Sequence, residues 1–84
     1  MYILYILRCA NNSLYTGITN DLSARLDKHR MGKGSKYVRA NLPFKLVYQE
    51  TLADKSSALK RELEIKGLTK AQKEKLVTKP HVST

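Results

Sequence analysis

Residues 2–19 read Tyr2-Ile3-Leu4-Tyr5-Ile6-Leu7-Arg8-Cys9-Ala10-Asn11-Asn12-Ser13-Leu14-Tyr15-Thr16-Gly17-Ile18-Thr19, and the pairing of their two halves decides the fold. Tyr2 to Leu7 is apolar at both alternating sets of positions, which predicts a strand covered on both faces. Leu14 to Thr19 is a second β-prone run, and Cys9-Ala10-Asn11-Asn12-Ser13 has the composition of a hairpin turn. A two-residue loop at Asn11-Asn12 would pair Ala10 with Ser13 and send Tyr5 and Tyr15 to opposite faces. A three-residue loop, Ala10 to Asn12, pairs Cys9 with Ser13, sets Tyr5 opposite Gly17 and leaves Tyr15 on the same face as Tyr5. The second register is expected, because Gly17 then leaves space for the Tyr5 ring and Asn12 tolerates the left-handed backbone such a loop needs.

Working outward, Thr19 or Asn20 is expected to cap a helix through about Met31, with Asp21 in its first turn and Gly32 ending it. Leu22 and Leu26 face the core, while Arg25 and His29, spaced i and i+4, stand together on the flank of that stripe. Gly32-Lys33-Gly34-Ser35-Lys36-Tyr37-Val38-Arg39 reads as a flexible basic loop with Ser35 capping a short helical turn that Pro43 stops. Phe44 to Leu52 is a third strand. Asp54 begins a helix through Lys66 that Gly67 closes, and Thr69 caps another from Lys70 to about Val77. The order of main elements, β-β-α-β-α-α, predicts a small antiparallel sheet packed by helices, the α+β class. One domain over residues 1–77 and a frayed tail over 78–84 are expected.

The 84 residues leave room for one core, burying roughly 60–65% of the surface of the unfolded chain. Sixteen Lys and Arg against seven Asp and Glu give a net charge of +9, an excess that points to a polyanionic partner, nucleic acid first. The excess is unevenly spread: residues 21–40 hold six basic and two acidic side chains, residues 51–84 hold eight and four, and the first twenty residues hold Arg8 alone. The apolar run at the start is too short to span a bilayer or to serve as a signal-peptide core, so a soluble cytoplasmic protein is expected. A lone Cys9 agrees with a reducing compartment and reads as a small apolar residue.

Glu62 is the most informative position of the second half. At ~100° per residue, Ala58, Leu59, Leu63 and Ile65 define an apolar arc about 160° wide, and Glu62 falls inside it. Two readings compete: an ion pair with Lys66 four residues on, or a ligand for Mg²⁺ or Mn²⁺, ions that take one carboxylate and complete their shell with water and phosphate. Tyr5 and Tyr15 are either core fillers or reactive phenols, and Arg25 with His29 either a solvated face or a phosphate-facing pair. The Gly32 to Lys36 loop lacks the spacing of a Walker loop, which disfavours nucleotide hydrolysis.

Tyr2 to Leu7, Leu14 to Thr19, Arg25, His29, the Gly-Lys-Gly-Ser-Lys-Tyr-Val-Arg loop and Ala58-Leu59-Lys60-Arg61-Glu62 together resemble the GIY-YIG nuclease superfamily. The likeness is closest to its small stand-alone bacterial (YhbQ-like) group and covers nearly the whole chain. It implies a three-stranded antiparallel sheet flanked by helices and a phosphodiesterase using one divalent ion, Mg²⁺ or Mn²⁺, with no organic cofactor. Tyr5 matches the tyrosine of the first half-motif and Tyr15 that of the second, one of which would activate water. The arginine matched by Arg25 would steady the phosphate, the glutamate matched by Glu62 would hold the ion, and His29 stands where relatives carry His or Tyr. A phenol of ordinary pKa near 10 needs adjacent cations or the metal to favour its phenolate if it is to act as a base at pH 7.

Ile3 departs from the family at the first-motif glycine, Ile18 stands where some repair nucleases carry lysine, and no asparagine follows Glu62 at the usual late position. The leading expectation is an endonuclease on DNA, with RNA second, selective for structures met in repair or recombination. The alternative is a nucleic-acid-binding module of the same fold with little turnover, and a protein-interaction domain would leave the basic clusters unexplained. Lys33, Lys36, Arg39, Lys70 and Lys73 are the expected backbone contacts.

Overall fold

A computed structural model of the chain describes residues 1–78. Three antiparallel strands, β1 (Tyr2–Cys9), β2 (Leu14–Thr19) and β3 (Phe44–Leu52), form one sheet in the order β2-β1-β3. The helices are α1 (Leu22–Arg30), the short α2 (Lys36–Ala40), α3 (Lys55–Lys66) and α4 (Lys70–Thr78). The expected α+β order of main elements therefore stands, with α2 as the short turn capped by Ser35. Of the expected tail, Thr78 ends α4, and residues 79–84 lie outside the described residues.

The hairpin has the expected register: Tyr5 opposes Gly17, Leu7 opposes Tyr15, and Cys9 N–H donates to the Ser13 carbonyl at 2.9 Å. Asn12 takes the left-handed backbone, φ 68. Alternation along the central strand then sorts the core into two halves. Tyr5, Leu7 and Cys9 pack with Leu26 and Val38 on the side of α1 and α2, while Leu4 and Ile6 pack with Ile65 on the side of α3 and α4. Leu4, Ile6 and Leu7 are fully buried, which is what an apolar run covered on both faces requires.

Two local expectations need correction, the cap of the first helix and the apolar arc of α3. The cap of α1 is Asp21, whose carboxylate accepts from Ala24 N–H at 3.1 Å. Thr19 is spent on the strand exit instead, its hydroxyl accepting from Asp21 N–H at 3.1 Å. The helix runs to Arg30 with Met31 as its C-cap, and the chain turns at Gly32, as expected. The apolar arc of α3 is narrower than its composition suggests: Ala58 and Ile65 are buried, whereas Leu59 and Leu63 are 43% and 71% exposed. The helix is rotated so that the line Ala58-Glu62-Ile65 meets the sheet, held by Arg61, which donates to both oxygens of Glu50 on β3 at 2.8 and 3.1 Å.

The remaining caps follow the sequence. Asp54 accepts from Ser57 N–H at 2.8 Å, and Gly67 closes α3. Thr69 and Gln72 form a reciprocal capping box at the start of α4, each side chain accepting from the other's backbone N–H. Arg8 of β1 grips Glu74 of α4 through two hydrogen bonds, 2.6 and 2.8 Å, and so ties the last helix to the sheet.

Candidate active site and basic surface

The hairpin register puts two phenols on one face, and α1 brings an imidazole and a guanidinium to them. His29 is fully buried, not on a solvated flank, because the turn after α1 folds the basic loop over it. A Cβ placed on Gly34 would lie 2.6 Å from His29 Nδ1, so the loop can close this tightly only with glycine there. His29 Nε2 is 2.9 Å from the Tyr5 hydroxyl, and the Tyr15 ring meets the imidazole edge-on with centroids 5.6 Å apart. Nδ1 has no hydrogen-bond partner among the described residues.

Electrostatics separate the two tyrosines. Tyr5 is 1% exposed, and burial, followed by the nearby Tyr15 phenol, pushes its pKa up to about 12; Glu62 adds to the rise while the adjacent Arg25 guanidinium opposes it. The hydroxyl of Tyr5 therefore keeps its proton at neutral pH. Burial first, and Arg25 second, lower the pKa of His29, which disfavours the imidazolium. Tyr15 is only half-buried and lines an open cleft, so it is the phenol of the pair that solvent can reach.

α3 packs against β2 and β1, and Glu62 is among the groups that raise the Tyr5 pKa. Its carboxylate is 17% exposed and pairs with Lys66 at 3.2 Å, the ion pair that helical spacing allows. Lys66 is 52% exposed. No cluster of three or more His, Cys, Asp or Glu occurs among the described residues, which argues against a closed transition-metal cage. A sheltered single carboxylate has the chemistry of a ligand for a hard ion that keeps water and phosphate in its shell.

The basic residues divide into two surfaces. Lys33, Lys36 and Arg39 are exposed and line an open cleft of about 470 Å³ with Gly32, Gly34 and Ser35. Lys73 borders a second cleft of about 270 Å³ with Leu14, Tyr15, Thr16, Tyr37 and Lys66. Lys70 is engaged within the protein, donating to the Asn12 carbonyl and to Glu74, both at 2.7 Å. Tyr37 escaped the sequence reading except as part of the basic loop. Its ring lies nearly parallel to that of Tyr15, 13° apart with centroids at 6.3 Å. An aromatic set between Lys36 and Arg39 was the available signal, since basic surfaces with interleaved aromatics bind single strands.

Comparison with known proteins identifies the family. The GIY-YIG catalytic domain model matches residues 1–75. A UPF0213 protein of Staphylococcus epidermidis is 51% identical over 76 residues, 90% of this chain and 93% of that protein. A UPF0213 protein of Staphylococcus aureus is 47% identical with the same coverage. The solution NMR structure of the UPF0213 protein BH0048 from Bacillus halodurans superposes with a TM-score of 0.61 at 43% identity, covering 93% of this chain and 84% of that one.

Proposed function

The chain belongs to the GIY-YIG catalytic domain family, and from that premise we propose that it is an endonuclease hydrolysing phosphodiester bonds in nucleic acid, DNA before RNA, with one Mg²⁺ or Mn²⁺. The observation that carries this reading is the cluster of Tyr5, Tyr15, Arg25 and His29, together with a sheltered carboxylate, Glu62, on the helix that packs against the same hairpin.

In this reading Tyr15, reachable by solvent, positions the attacking water and, having given up its own proton to solvent, accepts the water's proton as a phenolate. Tyr5 stays protonated, and its contact with His29 fixes the floor of the site. Arg25 binds the phosphate and offsets the charge that grows on its oxygens as the fifth bond to phosphorus forms. Glu62 holds the divalent ion, which supplies further positive charge at the phosphate when bound. The exposed Lys33, Lys36 and Arg39, with Lys73, hold the flanking backbone. No helix among the described residues is long and apolar enough to cross a membrane, and a buried unpaired Cys9 suits a reducing cytoplasm.

One observation favours a second reading, binding without turnover: Lys66 already neutralises Glu62. Cleavage of branched, flapped, single-stranded and duplex DNA and RNA in Mg²⁺ or Mn²⁺ decides between them, run beside Glu62→Ala and Tyr15→Phe. Activity lost in both variants supports the nuclease. Salt-sensitive binding with no cleavage supports the module, and activity that survives both substitutions removes this site from the reaction.

A further inference from the structure

The cleft between α2 and the start of α4 is not used by the reading above, apart from Tyr15, Lys66 and Lys73 on its border. We infer that it is a subsite for one unpaired nucleobase next to the cleaved bond, with Tyr37 as its stacking wall. This inference rests on the proposed action on nucleic acid and adds a preference for single-stranded or flapped substrate.

Three observations converge on it. Tyr37 is a large aromatic that is 43% exposed yet rigidly held: its hydroxyl donates to Ser13 Oγ at 2.5 Å and accepts from Asn11 Nδ2 at 3.3 Å, and Tyr15 stacks against its ring. A ring fixed in advance loses little entropy when a base stacks on it, and every base offers a π-face. The opposite side carries Lys66 and Lys73, from α3 and α4, placed to meet the phosphates on either side of such a base. Finally, Thr16 lines the same cleft, is 3% exposed, and its hydroxyl has no hydrogen-bond partner among the described residues. A buried hydroxyl without a partner is costly, and the polar edge of a base is its natural complement.

Size selects the occupant. A cleft of about 270 Å³ lies just below the usual range of small-molecule sites, enough for one planar base but not for a stacked pair of strands. A paired base would have to leave its helix to enter, which favours flaps, loops and ends.

The test is binding without turnover, in EDTA, of short single-stranded oligonucleotides that carry 2-aminopurine or an abasic residue at one central position. Wild-type protein should quench the 2-aminopurine and bind the abasic strand more weakly, and Tyr37→Ala should lose the quenching and bind the base-bearing strand roughly 5- to 150-fold more weakly. Tyr37→Phe should keep most of both, since it keeps the ring. Equal wild-type affinity for abasic and base-bearing strands, a comparison that needs no variant to fold, overturns the subsite while leaving nucleic-acid binding intact. Absence of salt-sensitive binding to any strand overturns the subsite and the proposed function together.

Discussion

A Cβ atom on Gly17 would lie 2.5 Å from the Tyr5 hydroxyl oxygen and 2.7 Å from the ring carbon that bears it, so the Tyr5 ring fills the space that Gly17 leaves open. The two residues are register partners across the hairpin, so a side chain at position 17 has to displace the Tyr5 ring. The absence of a side chain at position 17 is thus what lets a full phenol lie flat in the core and reach His29.

Gly17→Ala should therefore destabilise the protein by about 1–3 kcal/mol, the ordinary cost of overpacking. Urea unfolding measures it. The cost should fall by at least half when the same change is made in a Tyr5→Leu background, since the shorter side chain removes the overlap. An equal cost in both backgrounds would mean that the penalty comes from the backbone at position 17 and not from the ring.

His29 sets a pH dependence whose sign follows from its burial. Its pKa is lowered in the folded protein, by burial and then by Arg25, whereas the unfolded chain titrates near 6.5. The unfolded state thus takes up the proton first. Stability is full above about pH 6.5 and is lost as pH falls from there through the folded value, by at most about 1.4 kcal/mol per pH unit for one proton. Glu50, Asp54 and Glu74 are all lowered from ordinary carboxylate values, so their contributions are lost only at more acid pH. Melts between pH 5 and 7.5 should show a decline in wild type that His29→Gln flattens; parallel curves would refute it.

Much of this was legible in the sequence because the deciding interactions are local. Hairpin register depends on loop length and on the size of Gly17, and both can be read directly. The caps at Ser35, Asp54 and Thr69 lie within three residues of the groups they satisfy. What local pattern could not supply is rotation and closure. Composition alone gives α3 a wide apolar arc, but Arg61 bound to Glu50 turns Leu63 outward and keeps Glu62 on the sheltered line. Likewise i, i+4 spacing sets Arg25 beside His29 but does not reveal that Gly34 lets the loop seal the imidazole from water. Tyr37 meets Tyr15 across 22 residues, a distance that periodicity does not reach.

The two lysines of α4 that the sequence treats alike are not alike in the fold. Lys70 is held by the Asn12 carbonyl and Glu74, whereas Lys73 borders the cleft. Lys73→Ala should weaken binding to single strands and lower the slope of log affinity against log salt by about 1, the signature of one lost phosphate contact. Lys70→Ala should leave that slope nearly unchanged. Titrations at several salt concentrations separate the two, and equal slopes for both variants would place the strand elsewhere on the helix.

Arg8 decides whether α4 is in place to present Lys73 at all. Its guanidinium meets Glu74 in a two-pronged grip, and the pairing with Arg8, then Lys70, lowers the Glu74 pKa to about 2. Because the folded value lies below the unfolded one, the contribution of the grip is present above about pH 4.5 and is lost as pH falls toward 2. Leu76 and Val77 pack on the core but neither is buried, so apolar contact alone gives this helix a weak hold. Arg8→Gln should accordingly raise amide exchange across residues 70–78 while the β1 amides paired with β2 and β3 keep their protection. The same variant should bind single strands more weakly. Unchanged exchange in α4 would show that the apolar contacts suffice and that the ion pair is incidental to how the helix presents its lysine.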